Sequence, residues 1–230
     1  MSAASPADPP TADRAGRMVS SYVALGDSFT AGRDSIDAER WVDIVADALR
    51  RVTPDLAYGN FAVDGATSAE VLEQVPAALA LAPDLISVIC GANDVLLTSR
   101  PDVAGYERRF DEILTRLREG APDSSIVTAT APESWHFMEL RPRTKARLIE
   151  ATGNLNDATR RIAAEHGVLC LPVAGHPALS DPATFSSDGL HPSTAGHQMV
   201  AVGAAAELRR HLGIEIEIPA GEIPTGADPQ

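Results

Sequence analysis

Five short apolar runs alternate with longer stretches of helical periodicity along most of the chain. The first run is Tyr22-Val23-Ala24-Leu25, ending at Gly26. Residues 38 to 51 follow with Trp41, Ile44, Val45 and Leu49 at helical spacing, which predicts an amphipathic helix. A weaker strand is expected over 56 to 61, then a helix opened by Thr67-Ser68 with Glu70 in its first turn. Leu85 to Cys90 is a continuous apolar strand of the kind buried on both faces. A helix over about 103 to 118 carries Tyr106, Phe110, Ile113, Leu114 and Leu117 on one side. A strand over 125 to 131, a long helix from about 144 to 166 and a strand over 168 to 173 complete the alternation. A last helix runs from the N-cap Ser193 to about Leu212.

Such alternation predicts an α/β fold, a parallel sheet with helices on both faces. Ligands of such sheets bind beyond the carboxyl ends of the strands. The residues expected there are chemically unusual. The first strand ends in Gly26-Asp27-Ser28-Phe29-Thr30 and the second leads to Asp64-Gly65-Ala66-Thr67. The third ends in Gly91-Ala92-Asn93-Asp94, and the loop before the last helix reads Asp188-Gly189-Leu190-His191-Pro192-Ser193.

Acyl transfer needs a nucleophile, a base, a group that fixes the base's tautomer, and donors for an oxyanion. Ser28 on a tight strand-to-helix turn supplies the first. His191 and Asp188, three residues apart in one loop, supply the next two. Gly65 offers a bare backbone N–H and Asn93 a side-chain amide. Each block alone reads as an ordinary turn or cap; it is their joint occurrence at four strand ends that points to chemistry.

In these four blocks the chain resembles the SGNH hydrolases, also called GDSL esterases and lipases, over about residues 20 to 212. The resemblance implies a flavodoxin-like, three-layer fold with a five-stranded parallel sheet. It implies a Ser28-His191-Asp188 triad, and an oxyanion hole made by the Ser28 N–H, the Gly65 N–H and the Asn93 side chain. The implied reaction is ester hydrolysis through an acyl-enzyme on a small-molecule ester, without a cofactor. Two relatives of that reaction stay open: an acyltransferase with a non-water acceptor, and a carbohydrate O-acetyl esterase. The α/β-hydrolase fold is set aside. Its Gly-x-Ser-x-Gly elbow follows a later strand and its acid and histidine are well separated, whereas here the serine follows the first strand and acid and base share a loop.

Trp135, Phe137 and Met138 follow the fourth strand without clear periodicity and are candidates for the substrate pocket; packing onto the next helix is the competing reading. His136 among them reads as a rim residue. Arg141, Arg143 and Lys145 add local positive charge, which would suit a substrate bearing an acid group.

The remaining observations narrow the context. The chain has 230 residues, with 44 % apolar and 22 % charged residues, enough for one sizeable domain. A net charge of −13 disfavours nucleic acid and anionic lipid as partners, and no run is long enough to span a bilayer. No histidine has metal-type spacing with Cys or carboxylate, so no metal is expected. Cys90 and Cys170 lie in apolar runs and read as core residues. With no secretory pattern at the start, a cytoplasmic location is expected. The domain is expected over 20–212, after a mobile leader (1–19) and before a C-terminal tail (213–230). In that tail, Ile214-Glu215-Ile216-Glu217-Ile218 alternates strictly, which suggests a half-buried extended segment; a wholly disordered tail is the other reading. Nothing in the sequence sets the oligomeric state.

Overall fold

The computed structural model describes residues 16–33, 35–36 and 39–219. Five parallel strands form one sheet: β1 (Ser21–Gly26), β2 (Ala57–Asn60), β3 (Leu85–Ile89), β4 (Ser125–Ala129) and β5 (Leu169–Leu171), in the order β2-β1-β3-β4-β5. Seven α-helices accompany them among the described residues: α1 (Ser28–Ala31), α2 (Trp41–Val52), α3 (Ser68–Leu79), α4 (Ala92–Leu96), α5 (Val103–Gly120), α6 (Pro142–Glu165) and α7 (Thr194–Glu207). This is the flavodoxin-like order, and its topological switch lies between β1 and β3.

The pleat of β1 sorts the layers. Val23 and Leu25 face a core shared with α3, α5 and α6, together with Ile86, Val88 and Ile126 from the next strands. Tyr22 and Ala24 face the opposite core, formed with α2 and α7. Burying each such Leu, Ile or Phe side chain is worth about 1.5–3 kcal/mol, so both faces must be covered. That is why the central strands β1, β3 and β4 are mostly apolar on both faces rather than alternating. The amphipathic helices present the expected faces: Tyr106, Phe110, Ile113, Leu114 and Leu117 of α5 are all fully buried.

Boundaries shift modestly from the sequence reading. α2 begins at Trp41, after the extended Arg40, and α6 begins at Pro142, where proline's fixed φ suits a first turn. Beyond α7 the last expected turns become a single π-helical turn, Leu208–Leu212. Of the expected leader, residues 1–15 lie outside the described residues. Arg17 donates its N–H to Gly213 O at 2.8 Å, and Val19 is buried. Ile214 and Ile216 are buried on the α2/α7 side while Glu215 and Glu217 are exposed. Arg51 donates to the Glu217 carbonyl at 3.0 Å. Residues 220–230 lie outside the described residues.

Candidate active site

The turn after β1 is shaped by a glycine that tolerates nothing larger. Gly26 has φ +154°, and a Cβ there would come within 2.5 Å of Ile89 O. The Gln74 amide clamps it, accepting from Gly26 N–H and donating to Gly26 O, each at 2.9 Å. Asp27 then caps α1. Its carboxylate accepts from Phe29 N–H at 3.1 Å, and its carbonyl accepts from the Thr30 and Ala31 N–H groups at 3.0 and 2.8 Å. With those donors occupied, the Ser28 N–H is the first-turn donor left without an acceptor among the described residues, as helix starts require. Asp27 is 1 % exposed and its second carboxylate oxygen has no partner among the described residues; burial pushes its pKa up to about 7.

Ser28 Oγ lies 2.9 Å from His191 Nε2, and His191 Nδ1 lies 2.5 Å from Asp188 Oδ2. A carboxylate only accepts, so Nδ1 carries the proton and Nε2 is free to accept from the serine hydroxyl. Partial burial pushes the Asp188 carboxyl up. Hydrogen bonds from the His191 ring and backbone, the Leu190 N–H and the Ser186 hydroxyl outweigh that and hold it well below the usual carboxylate range. Asp188 is therefore ionised at any ordinary pH. The loop carrying both residues is a small hairpin: Phe185 pairs with Pro192, Ser186 N–H donates to His191 O at 2.7 Å, and Ser193 caps α7 by accepting from Gly196 N–H.

Gly65 has φ +78°, and a Cβ there would meet no atom within 4 Å, so its backbone borders open space. Asn93, in the first turn of α4, donates one amide hydrogen to Ala66 O at 3.0 Å and keeps its second. The next residue ties these two loops together. Asp94 accepts from the Ser68 N–H (2.8 Å), the Ser68 hydroxyl (2.6 Å) and Arg109 Nη2 (2.8 Å), while Arg109 Nε donates to Ser68 Oγ at 2.7 Å. α3, α4 and α5 thus meet on one buried carboxylate beside Gly65 and Asn93.

Ser28, Asp188, His191, Gly65 and Asn93 are thus placed on loops and helix starts at the carboxyl edge of the sheet, Ser28 and Asn93 flanking the switch between β1 and β3. The pocket candidates divide: Trp135 is turned into the core, while Phe137 lies against the Asp188–His191 loop, where a Cβ on Gly189 would come within 3.1 Å of Phe137 O. Trp135 is 2 % exposed in the core, its indole donating to Thr152 Oγ1 of α6 at 3.1 Å. Phe137 packs at a tilt against Phe185 with ring centroids 5.3 Å apart, and Met138 packs partly buried against the same core as Trp135. His136 is exposed. The reason is that α6 offers an apolar stripe directly under this loop, which takes up the indole. The space near Ser28 is walled instead by Phe29, Trp41, Ile89, Phe185, Met199 and Val200, a cavity of about 70 Å3.

Several supporting residues gave no signal in the sequence: Gln74, Arg109, and Asn156, whose amide grips both the N–H (2.7 Å) and the carbonyl (3.0 Å) of Ala131 after β4. His197 is another. It is fully buried, burial lowers its pKa to about 4, and its Nδ1 accepts the Trp41 N–H at 3.3 Å, joining α7 to α2. Among the described residues no cluster of His, Cys, Asp or Glu could hold a metal ion, and no helix is long and apolar enough to cross a membrane.

A serine hydroxyl, an imidazole and an ionised carboxylate in series, on a flavodoxin-like sheet, form the arrangement that acyl-transferring hydrolases use. The family model for the GDSL-like lipase/acylhydrolase family matches residues 24–199, and the chain belongs to that family, whose members are carboxylic ester hydrolases. An arylesterase of Vibrio mimicus is 24 % identical over 191 residues, 83 % of this chain and 88 % of the relative. Among solved structures, the lipase/acylhydrolase of Enterococcus faecalis superposes with a TM-score of 0.66 at 21 % identity, covering 86 % of this chain and 97 % of that one. A catalytic mutant of the acetylxylan esterase Axe2 of Geobacillus stearothermophilus superposes with a TM-score of 0.64 at 20 % identity, covering 88 % and 97 %.

Proposed function

We propose that Ser28 is the nucleophile of an esterase, that His191 is its general base and acid, and that Asp188 orients and stabilises the imidazole. The observation that carries this reading is the continuous hydrogen-bonded series Ser28 Oγ, His191 Nε2, His191 Nδ1, Asp188 Oδ2, at 2.9 and 2.5 Å. His191 removes the Ser28 proton as Oγ bonds to the ester carbonyl carbon. The resulting oxyanion is met by the Ser28 N–H, the Gly65 N–H and the second amide hydrogen of Asn93. The tetrahedral adduct collapses, the bond to the leaving alcohol breaks, and His191 returns the proton to that alcohol. Water, deprotonated by the same imidazole, then cleaves the acyl-enzyme and restores Ser28. Besides groups of the chain, the steps use the ester and water.

An alcohol or amine in place of water would make the same residues an acyltransferase, and an acetylated sugar as donor would make the protein a carbohydrate O-acetyl esterase. The reading extends to a cytoplasmic location, which the two unpaired cysteines, Cys90 and Cys170, support. The test is hydrolysis of a p-nitrophenyl ester series, with the acyl product analysed in the presence and absence of sugar and alcohol acceptors. Free acid as the dominant product is expected in both cases. Dominant transfer to an added acceptor would replace hydrolysis by acyl transfer, and selectivity for acetyl sugars would favour the carbohydrate reading.

A further inference from the structure

Helix α7 is apolar all round. Of TAGHQMVAVGAAAE only Thr194, His197, Gln198 and Glu207 are polar, although Val200, Met199 and Gly203 are not buried. A helix of that composition normally has apolar matter on every side. One side packs on α2 and the sheet. The other overhangs the edge strand β5, and there the structure has space rather than side chains. The cavity of about 70 Å3 near Ser28 shares Leu171, Val173, Leu179, Met199 and Val200 with a second cavity of about 190 Å3, which continues along α7 to Gly203 and Glu207.

Ser28, Gly65, Asn93, Asp188 and His191 do not themselves line the inner cavity; the residues next to three of them in sequence do. Asp27 and Phe29 flank Ser28, Ala92 precedes Asn93 and Pro192 follows His191. Its few polar lining groups are turned to their own backbone. Thr130 Oγ1 accepts from Ala174 N–H at 2.8 Å, and Thr184 Oγ1 donates to Ala178 O at 2.8 Å. The partnerless oxygen of Asp27 is itself buried. What remains for a ligand is hydrocarbon wall. The inner chamber has room for roughly two methylene-sized groups, and the outer exceeds the ~150 Å3 that accommodates a benzene ring. Met199, an unbranched side chain that fills irregular gaps and changes rotamer readily, is one of the five residues that line both.

We infer that the slot between β5 and α7 receives an unbranched alkyl group of the ester, and that Met199, Val200 and Gly203 set how long that group can be. The inference rests on Ser28 being the nucleophile. It makes the substrate an ester with an alkyl group of about six to eight carbons, two or so in the inner chamber and the rest in the outer.

Gly203 supplies a clean probe. A Cβ there meets no atom within 4 Å, and in a helix any unbranched or aromatic residue is favoured over glycine. Two ester series are measured, p-nitrophenyl alkanoates from acetate to decanoate and linear alkyl acetates, on the wild type, Gly203→Phe and Val200→Ala. In one series, wild-type kcat/KM should rise about fourfold per methylene up to six to eight carbons. Gly203→Phe should lower the octanoate-to-butyrate ratio (or its alkyl-acetate equivalent) at least tenfold, and Val200→Ala should move the optimum to longer chains. The responding series identifies whether the acyl or the alcohol side enters. A wild-type profile flat or falling beyond two carbons in both series overturns the slot whether or not either variant folds. So does a profile left unchanged by a folded Gly203→Phe protein. If no ester in either series is cleaved in a Ser28-dependent way, the nucleophile assignment fails instead.

Discussion

Arg109 touches neither Ser28 nor His191, yet its replacement should slow the reaction. Its guanidinium bridges Asp94 and Ser68, and so holds the start of α3 against the first turn of α4. Asp94 is 3 % exposed and Arg109 29 % exposed in their side chains. Removing one partner from a buried pair costs about 3–5 kcal/mol. Here Asp94 keeps two donors from Ser68 and Arg109 is partly wet, so Arg109→Met should cost about 2 kcal/mol, or roughly 4–8 °C in Tm for a domain of this size. Asn93 sits beside that carboxylate. Deleting an oxyanion donor costs about 10²–10³ in kcat, so displacing one by a fraction of an ångström should cost about tenfold. The assay is steady-state hydrolysis of p-nitrophenyl butyrate alongside thermal unfolding. kcat should fall while KM holds, and Arg109→Lys, which keeps the charge but loses the fork, should recover part of both. A variant that loses the expected stability yet keeps wild-type kcat would refute the coupling and leave Arg109 a structural residue only.

Three further outcomes are expected. Asn93→Ala should lower kcat by about 10²–10³ with little change in KM; an effect confined to KM, read from initial rates, would make Asn93 a binding residue. Asp27→Asn should stabilise the fold in alkaline but not acid solution. The buried carboxyl keeps its proton up to about pH 7 in the folded state, whereas the unfolded chain releases it near pH 4. Its contribution is therefore whole below about pH 4 and is lost as pH rises to 7, by up to about 4 kcal/mol. Asparagine still accepts the Phe29 N–H, so Tm should rise at pH 8 and hardly move at pH 4; equal shifts at both would contradict the assignment. Truncation after Gly213 removes the buried Ile214 and Ile216 and should cost about 2 kcal/mol or more. An unchanged melting curve would mean that the segment does not pack in solution.

The sequence announces the sheet and the candidate site residues for related reasons. Strands buried on both faces are mostly apolar runs, and the polar residues just beyond β1 and β3, at the sheet's open edge, stand out against them. The two short helices α1 and α4 were not visible, since four or five residues are too few to show a 3.6 period, and both begin within the chemical blocks themselves. The clamps were equally hidden. Gln74 acts across 48 positions, Arg109 across 41 to Ser68, and Asn156 across 25. An amide or guanidinium on a helix looks like any surface residue until the strand end it serves is brought to it. Trp135 shows the converse error. An apolar residue on a loop after a strand could line a pocket or fill a core, and its neighbours in sequence do not decide between them. The stripe on α6 and the Thr152 hydroxyl do. Part of the wall near Ser28 comes from α7, whose small and apolar residues look in sequence like ordinary helix packing.

The most direct measurement is the mass of the covalent adduct formed with a small alkyl fluorophosphonate, mapped by peptide. The expected result is one label per chain, on Ser28, with esterase activity lost in proportion, and no label on Ser28→Ala or on wild-type protein unfolded beforehand. A label on another serine, or ester hydrolysis that persists after Ser28 is fully modified, would contradict the account.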